Sequence, residues 1–307
     1  MTQTRHLLLF GPGYCGAAIA GAAAASGYEA TLAGRETEAL EGDGIAHAHP
    51  SPSSLLFPRV IHAFGDSTFG DHALSTIATA THLLSTVPPG ADGDPVLARY
   101  GAAIAAAPSL RWIGYLSSTS VYGDRGGAEV DEESPPAPTS ERGRRRLAAE
   151  RAWERAASGR PLDLFRLAGI YGPGRSVFAS LRAGEARRVI KPGHAFSRIH
   201  RDDIVAAVLA AMRVPQAGTR VLNLADEAPA ESEAVLTEAA RLLGLPAPPA
   251  IPFPEAHAAM SPIARNFWEE NRRVLARRTQ AALGIAWRYP SYREGLEAIL
   301  AQESGKR

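Results

Sequence analysis

Along the first 170 or so residues, short apolar runs closed by glycine or proline alternate with alanine-rich or amphipathic stretches. His6–Phe10 (HLLLF) is continuously apolar and ends at Gly11, the pattern of a strand covered on both faces. Tyr14–Ser26 is dense in alanine and stops at Gly27, which predicts a helix. Tyr28–Ala33 follows as the second strand. Arg59–Phe64 (RVIHAF) is read as the third, with Gly44–His49 as the competing stretch. Ala80–Val87 is the fourth and is closed by Pro88–Pro89; Leu110–Ser117 and Leu162–Ala168 are the fifth and sixth. Helical patterns over Asp71–Thr79, Asp94–Ala107 and Glu141–Ala157 separate the later strands. Strands alternating with helices predict an α/β fold built on a doubly wound parallel sheet. After about residue 172 the rhythm changes: a helix over Asp202–Met212, a strand over Thr219–Ala225, a helix over Ser232–Leu243, the proline-rich Leu245–Pro254 and a helical end. This places one domain over 1–172, with 198–226 returning to it, and a smaller lobe over 173–197 and 227–307.

Composition narrows the class. With 45% apolar and 21% charged residues among 307, the chain can bury a sizeable core. A net charge of +1 gives no strong field toward nucleic acid or an anionic membrane, so neither is expected as a partner. The single cysteine excludes an internal disulfide framework and a zinc-ligand spacing. The most apolar stretch, Ala17–Ala25, is too short to span a bilayer, and the first residues lack a signal-peptide layout, so a cytoplasmic location is the expectation. Lys191 and Lys306 are the only lysines, which limits where an amine could take part in chemistry.

The clearest chemical motif is Gly11-Pro12-Gly13-Tyr14-Cys15-Gly16, lying between a predicted strand and a predicted helix. Gly11 permits the tight turn, Gly13 lets backbone approach a pyrophosphate, and Gly16 lets the helix press on the sheet. Tyr14 and Cys15 begin the helix, whose free N–H groups and positive end attract phosphate. The domain is therefore expected to be of the Rossmann type and to bind a dinucleotide. Cys15 stands where a thiol pKa can fall, but the need for a small residue beside the cofactor is the simpler account.

The end of the second strand bears on which dinucleotide. An NAD-binding chain places Asp or Glu there for the ribose hydroxyls. Here Ala33-Gly34-Arg35 stands instead. Gly34 vacates the acid's position, and Arg35 offers a planar cation suited to a 2′-phosphate. NADP is expected over NAD; Glu36 remains as an alternative ribose acid.

Further stretches carry a family resemblance. Leu116-Ser117-Ser118-Thr119-Ser120-Val121-Tyr122-Gly123, Arg166 to Gly174 (RLAGIYGPG), Arg198-Ile199-His200-Arg201-Asp202-Asp203 and Tyr289 to Leu296 (YPSYREGL) resemble, in order, segments of the extended short-chain dehydrogenase/reductases, the NAD-dependent epimerase/dehydratase superfamily. The resemblance implies a catalytic Ser or Thr, a Tyr and a Lys four residues after it. Ser118 keeps the serine position. The tyrosine and lysine positions fall on Arg142 and Arg146, and no tyrosine occurs between Tyr122 and Tyr171. Guanidinium stays protonated in water, so Arg142 cannot cycle a proton. The chain therefore resembles an atypical member lacking the Tyr-x-x-x-Lys pair.

Other residues are candidates for the missing proton relay. By the resemblance Tyr122 lies near the site, although its place in Val-Tyr-Gly is usually structural. His200 stands where the family's substrate lobe meets its cofactor lobe and titrates near neutral pH in water, with a hydrogen-bonded interdomain histidine as the commoner reading. Thr86, at the end of the fourth strand, is expected to face the cofactor ribose. His47-Ala48-His49 has no supporting carboxylate or cysteine cluster, so no metal site is expected. Arg142–Arg146 is read as an exposed helix start rather than a nucleic-acid surface. Two functions follow: an NADP(H)-dependent oxidoreductase or epimerase-like enzyme on a small polar molecule, or an NADP(H)-binding regulatory protein without turnover. Neither substrate nor oligomeric state is legible.

Overall fold

The computed structural model describes residues 5–35, 59–64 and 67–305. Gly44–His49, Glu36 and the His47/His49 pair lie outside the described residues. From the N-terminus the elements are β1 (His6–Phe10), α1 (Tyr14–Ala25), β2 (Glu29–Arg35), β3 (Arg59–Phe64), α2 (Ser67–Thr79), β4 (His82–Ser85), α3 (Pro95–Ala106) and β5 (Trp112–Ser118). A 3₁₀ turn (Thr119–Tyr122) leads to β6 (Glu129–Val130), α4 (Glu141–Ala157), β7 (Leu162–Leu167), β8 (Gly169–Tyr171), α5 (Phe178–Arg182), β9 (Arg188–Ile190) and β10 (Arg198–His200). The remainder is α6 (Arg201–Arg213), β11 (Thr219–Leu224), α7 (Ser232–Leu242), β12 (Ala250–Pro252), α8 (Phe253–Ala259), α9 (Pro262–Glu269), β13 (Arg273–Val274), α10 (Arg277–Leu283) and α11 (Tyr292–Ser304).

Seven strands form one sheet in the order β11-β7-β5-β4-β1-β2-β3. The pairs β3–β2, β2–β1, β1–β4 and β4–β5 are parallel. This is the doubly wound Rossmann arrangement, and its order reverses between β1 and β4, where ligands of such sheets bind outside the carboxyl ends. The expected strands are present with one difference that matters. β2 runs on through Gly34 and Arg35, and its register to β3 shifts between those two residues.

The chain divides into two compact units: 1–117, 145–165 and 205–221 in the first; 118–144, 166–204 and 222–307 in the second. The division differs from the expected boundary at 172, because 118–144 and 166–172 group with the C-terminal residues. Within the second unit β6 pairs with β13, Asn271 donates its backbone N–H to Asp124, and Arg272 donates to the Gly123 carbonyl. These bonds span more than 140 residues of sequence, beyond the reach of a local pattern.

The core of the first unit joins Leu8, Phe10, Leu83, Tyr100, Ile113, Tyr115, Trp153 and Leu164. Asp94 caps α3 by accepting from the Val96 and Leu97 amides, and it also accepts from Trp153 Nε1 at 2.9 Å. The second unit has its own core, where α5, α7 and α11 bury Phe178, Leu181, Val235, Leu236, Ala239, Leu296 and Ile299.

Candidate functional site

In the first unit the glycine loop follows β1 and opens α1. Gly11 has φ +97°, a left-handed conformation that favours glycine, and its N–H donates to the Ala33 carbonyl at 2.8 Å. A Cβ at Gly11 would strike Thr86 Oγ1, and one at Gly16 would overlap the Gly11 carbonyl oxygen. These two glycines are thus demanded by packing. Gly13 is different: it is exposed, and a Cβ there would meet nothing within 4 Å. It is the N-cap of α1, and no side chain caps the helix. An open approach to an uncapped helix N-terminus is what a pyrophosphate requires, so the loop fits a dinucleotide. Tyr14, half-buried, and Cys15, buried, form the first turn.

The carboxyl end of β2 places Gly34, buried, and the backbone of Arg35 at the register shift beside β3. Thr86 follows β4. Its hydroxyl donates to the Gly11 carbonyl at 2.8 Å, with the Phe10 carbonyl at 3.2 Å, so it braces the loop from below. This bond gives the hydroxyl a supporting role under the loop and uses only its proton.

α4 carries the two arginines singled out in the sequence. Arg146, in the first unit, turns onto β5: Nη1 donates to the Leu116 carbonyl at 2.8 Å and to the Tyr115 hydroxyl at 3.0 Å. Burial pushes the Tyr115 phenol well above its ordinary value, with Arg146 opposing. One turn further on, buried Glu150 accepts from Ser117 Oγ at 2.6 Å.

In the second unit, Ser118 ends β5 half-buried, and its Oγ accepts from the Ser120 amide at 3.2 Å. The first turn of α4 comes close to this turn, since a Cβ on Gly143 would meet the Ser120 carbonyl at 2.5 Å. Arg142 is exposed, with its guanidinium 5.5 Å from the centre of the Phe267 ring. Phe267 is itself 54% exposed, unusual for its type. Tyr122 is fully buried; its hydroxyl donates to Asn223 Oδ1 at 2.7 Å and Arg166 covers its ring at 4.8 Å. Burial raises its pKa. His200 is also enclosed, with its ring between Tyr171 and Tyr289 and its Nδ1 accepting from the Asp202 amide. Burial holds it well below its ordinary value, so the titration near neutrality expected of a free histidine is displaced to acid.

A cluster that sequence reasoning missed lies elsewhere in the second unit. Lys191 Nζ sits 4.1 Å from the centre of the Phe253 ring and donates to the Trp268 carbonyl, while His194 stacks on Trp268. Only the scarcity of lysine pointed to it. Among the described residues no cluster of His, Cys, Asp or Glu could hold a metal ion, and no helix is long and apolar enough to cross a membrane.

A strand–glycine loop–helix unit at the switch point of this sheet, followed by the serine turn at the end of β5, defines a nucleotide-binding α/β protein of the epimerase type. The chain belongs to the NAD dependent epimerase/dehydratase family, whose model matches residues 8–225. It is similar to the structure of a functionally unknown conserved protein from Silicibacter pomeroyi, with 41% identity and a TM-score of 0.83 over 97% of this chain and 99% of that one. Protein YeeZ of Escherichia coli K12 is 33% identical over 137 residues, 44% of this chain; the match spans 47% of that curated relative. Human epimerase family protein SDR39U1, solved with NADPH, shares the fold at 18% identity, with a TM-score of 0.70 over 96% of this chain and 99% of that one.

Proposed function

We propose that the protein binds NADP(H) at the α1 N-terminus and acts as an oxidoreductase on a small polar molecule without a tyrosine proton relay. The observation that carries the binding half is Gly13: an exposed N-cap with open space around it, at a helix no side chain caps. Gly11, Gly13 and Gly16 with the first-turn amides would hold the pyrophosphate, Gly34 would leave room at the ribose, and Arg35 would pair a 2′-phosphate. Solved neighbours of this fold carry NAD or NADPH, so the preference rests on Gly34 and Arg35 alone. When bound, the nicotinamide supplies or accepts a hydride.

The residues of the serine turn suggest how the chain does its part. Ser118 is half-buried with a hydroxyl proton to offer, and it would hold the reacting oxygen of the substrate. Arg142, in the position the family resemblance gives to tyrosine, keeps its charge at every working pH. It would offset negative charge developing on that oxygen, with the proton coming from water. Tyr122 does not suit the relay, because its hydroxyl is spent on Asn223. Arg146 does not replace the lysine, because its guanidinium is spent on β5.

Those same commitments favour a second reading, an NADP(H)-binding protein without turnover. Calorimetry with NADPH and NADH, followed by NADPH absorbance over a panel of carbonyl and conjugated substrates, separates them. The oxidoreductase reading predicts tighter NADPH binding and a substrate whose turnover falls in both Ser118→Ala and Arg142→Ala. Tight NADPH binding with no turnover across the panel sinks it and leaves the binding protein. Failure to bind either dinucleotide sinks both.

A further inference from the structure

The second unit contains a cavity of about 290 Å³, separate from the serine turn, lined by Tyr171, Arg175, Val177, Arg198, Val235 and Leu296 among others. Most of its wall is aliphatic or aromatic carbon, supplied by β8, the loop before α5, and the inward faces of α7 and α11. Its volume is at the lower end of the range for small-molecule sites.

Arg198 makes this cavity more than a packing defect. Its Nη1 donates to the carbonyls of Phe196 and Ala230 at 2.9 and 3.0 Å. Nε and Nη2 have no hydrogen-bond partner among the described residues, and no carboxylate there lies within ion-pair distance. The nearby acid is Asp226, whose amide donates to the Arg198 carbonyl and whose Oδ2 has no partner. Burial pushes that carboxyl up to about 7 although Arg198 pulls it down, so at neutral pH it is only partly ionised and only partly offsets the guanidinium. A half-buried guanidinium whose one facing acid is only partly ionised is incompletely balanced, and burial depresses its own pKa while Asp226 opposes. A fold that keeps such a cation on the wall of an apolar cavity is suited to a ligand that brings the missing charge.

We infer that this cavity is a binding site for a small monocarboxylate with a compact apolar body, its carboxylate on Arg198 and its carbon chain against Val177, Val235 and Leu296. The planar fork of Arg matches a carboxylate through two parallel N–H donors, here Nε and Nη2. The apolar walls select against inorganic phosphate, which would gain the charge but leave those walls uncovered. The site requires no contribution from the dinucleotide loop, so it stands whether or not the proposed oxidoreductase activity holds.

The test uses the full chain with hexanoate, hexan-1-ol and inorganic phosphate as probes, titrated by calorimetry and followed by amide chemical shifts. Hexanoate should bind saturably, and hexan-1-ol at least about tenfold more weakly, the worth of one charge-assisted hydrogen bond. Arg198→Met should remove that discrimination, and Val235→Trp, which fills the cavity, should remove hexanoate binding. Dinucleotide titration of each variant checks that the first unit is intact. If Arg198→Met fails to fold, the comparison of the acid with the alcohol on the unaltered chain decides alone. Failure of hexanoate to saturate, equal binding of acid and alcohol, phosphate binding more tightly than hexanoate, or undiminished hexanoate binding in Val235→Trp would each overturn the assignment.

Discussion

Arg146 Nη1 stands 3.0 Å from the Tyr115 hydroxyl and also donates to the Leu116 carbonyl, fastening α4 to β5 beneath the phenol. This guanidinium supports the sheet, whereas Arg142 one turn earlier is exposed over Phe267. Their substitution should separate accordingly. Arg146→Met leaves a buried carbonyl and a phenol without their donor and should cost about 1–3 kcal/mol of stability. Arg142→Ala should stay within about 0.5 kcal/mol of the parent. Urea denaturation of both variants checks this, and equal losses would contradict the distinction.

The glycine loop should divide in the same way, by what each added carbon meets. Gly16→Ala drives Cβ into the Gly11 carbonyl and against Leu9, so it should destabilise the first unit by about 1–3 kcal/mol. Gly13→Val finds open space, so the melting temperature should hold while dinucleotide affinity collapses. Normal affinity in the folded Gly13→Val variant would mean that the cofactor is bound elsewhere.

Arg35 ends β2 at the register shift. If its charge meets a 2′-phosphate, Arg35→Ala should weaken NADPH by roughly ten- to a hundredfold, the cost of one charge-assisted contact, and leave NADH nearly unchanged. Parallel calorimetric titrations give the answer. An equal loss for both cofactors would refute the NADP preference.

For any substrate that the panel yields, Ser118→Ala should lower turnover with little effect on stability, while Tyr122→Phe should do the reverse. The Tyr122 hydroxyl binds Asn223 in the interior, and its loss should cost roughly 0.5–1.5 kcal/mol. Turnover that depends on Tyr122 and not on Ser118 would move the reacting centre.

His82, buried in β4 with Nδ1 against Thr81 Oγ1 at 2.9 Å, is pushed from 6.5 to about 4 chiefly by burial, with Arg5 and Arg111 adding in the same direction. The unfolded chain then binds a proton that the folded chain refuses. Its contribution to stability is present above pH 6.5 and is lost as the pH falls from 6.5 to about 4. The slope should approach, at most, about 1.4 kcal/mol per pH unit for this one site. Asp226 acts in the opposite sense, since its raised pKa favours the folded state at low pH. Comparing the parent with His82→Phe by denaturation across pH 4–7 isolates the histidine, because Asp226 is common to both. Identical pH slopes would show that His82 does not titrate as described.

Much of this architecture was legible because its signals are local. β1 is apolar from Leu7 to Phe10, β5 from Trp112 to Leu116, and β7 alternates apolar residues with Asp163 and Arg166, while the glycine spacing lies between a strand and a helix as the motif requires. The continuation of β2 through Gly34 and Arg35 was not, since neither a glycine nor a charge marks a strand. A sequence position also says nothing of direction. Thr86 stands at the end of β4 as expected, yet its hydroxyl turns to the Gly11 carbonyl rather than outward. Arg146 occupies the lysine position of the family resemblance while its guanidinium points at β5. His200 was a candidate base beside a structural reading, and its packing between Tyr171 and Tyr289 favours the structural one. The pairing of β6 with β13 and the meeting of Lys191 with Trp268 join residues far apart in sequence.

The engagement of Lys191 has a practical consequence. The sequence offers only two lysine side chains to acylating reagents, and the amine of Lys191 is held over Phe253 while bonded to the Trp268 carbonyl. The half-buried amine should react faster when those contacts loosen, and burial already lowers its basicity. The rate of acylation at Lys191, followed by mass spectrometry, is therefore an intrinsic clock for local opening around α8 and α9, requiring no engineered label.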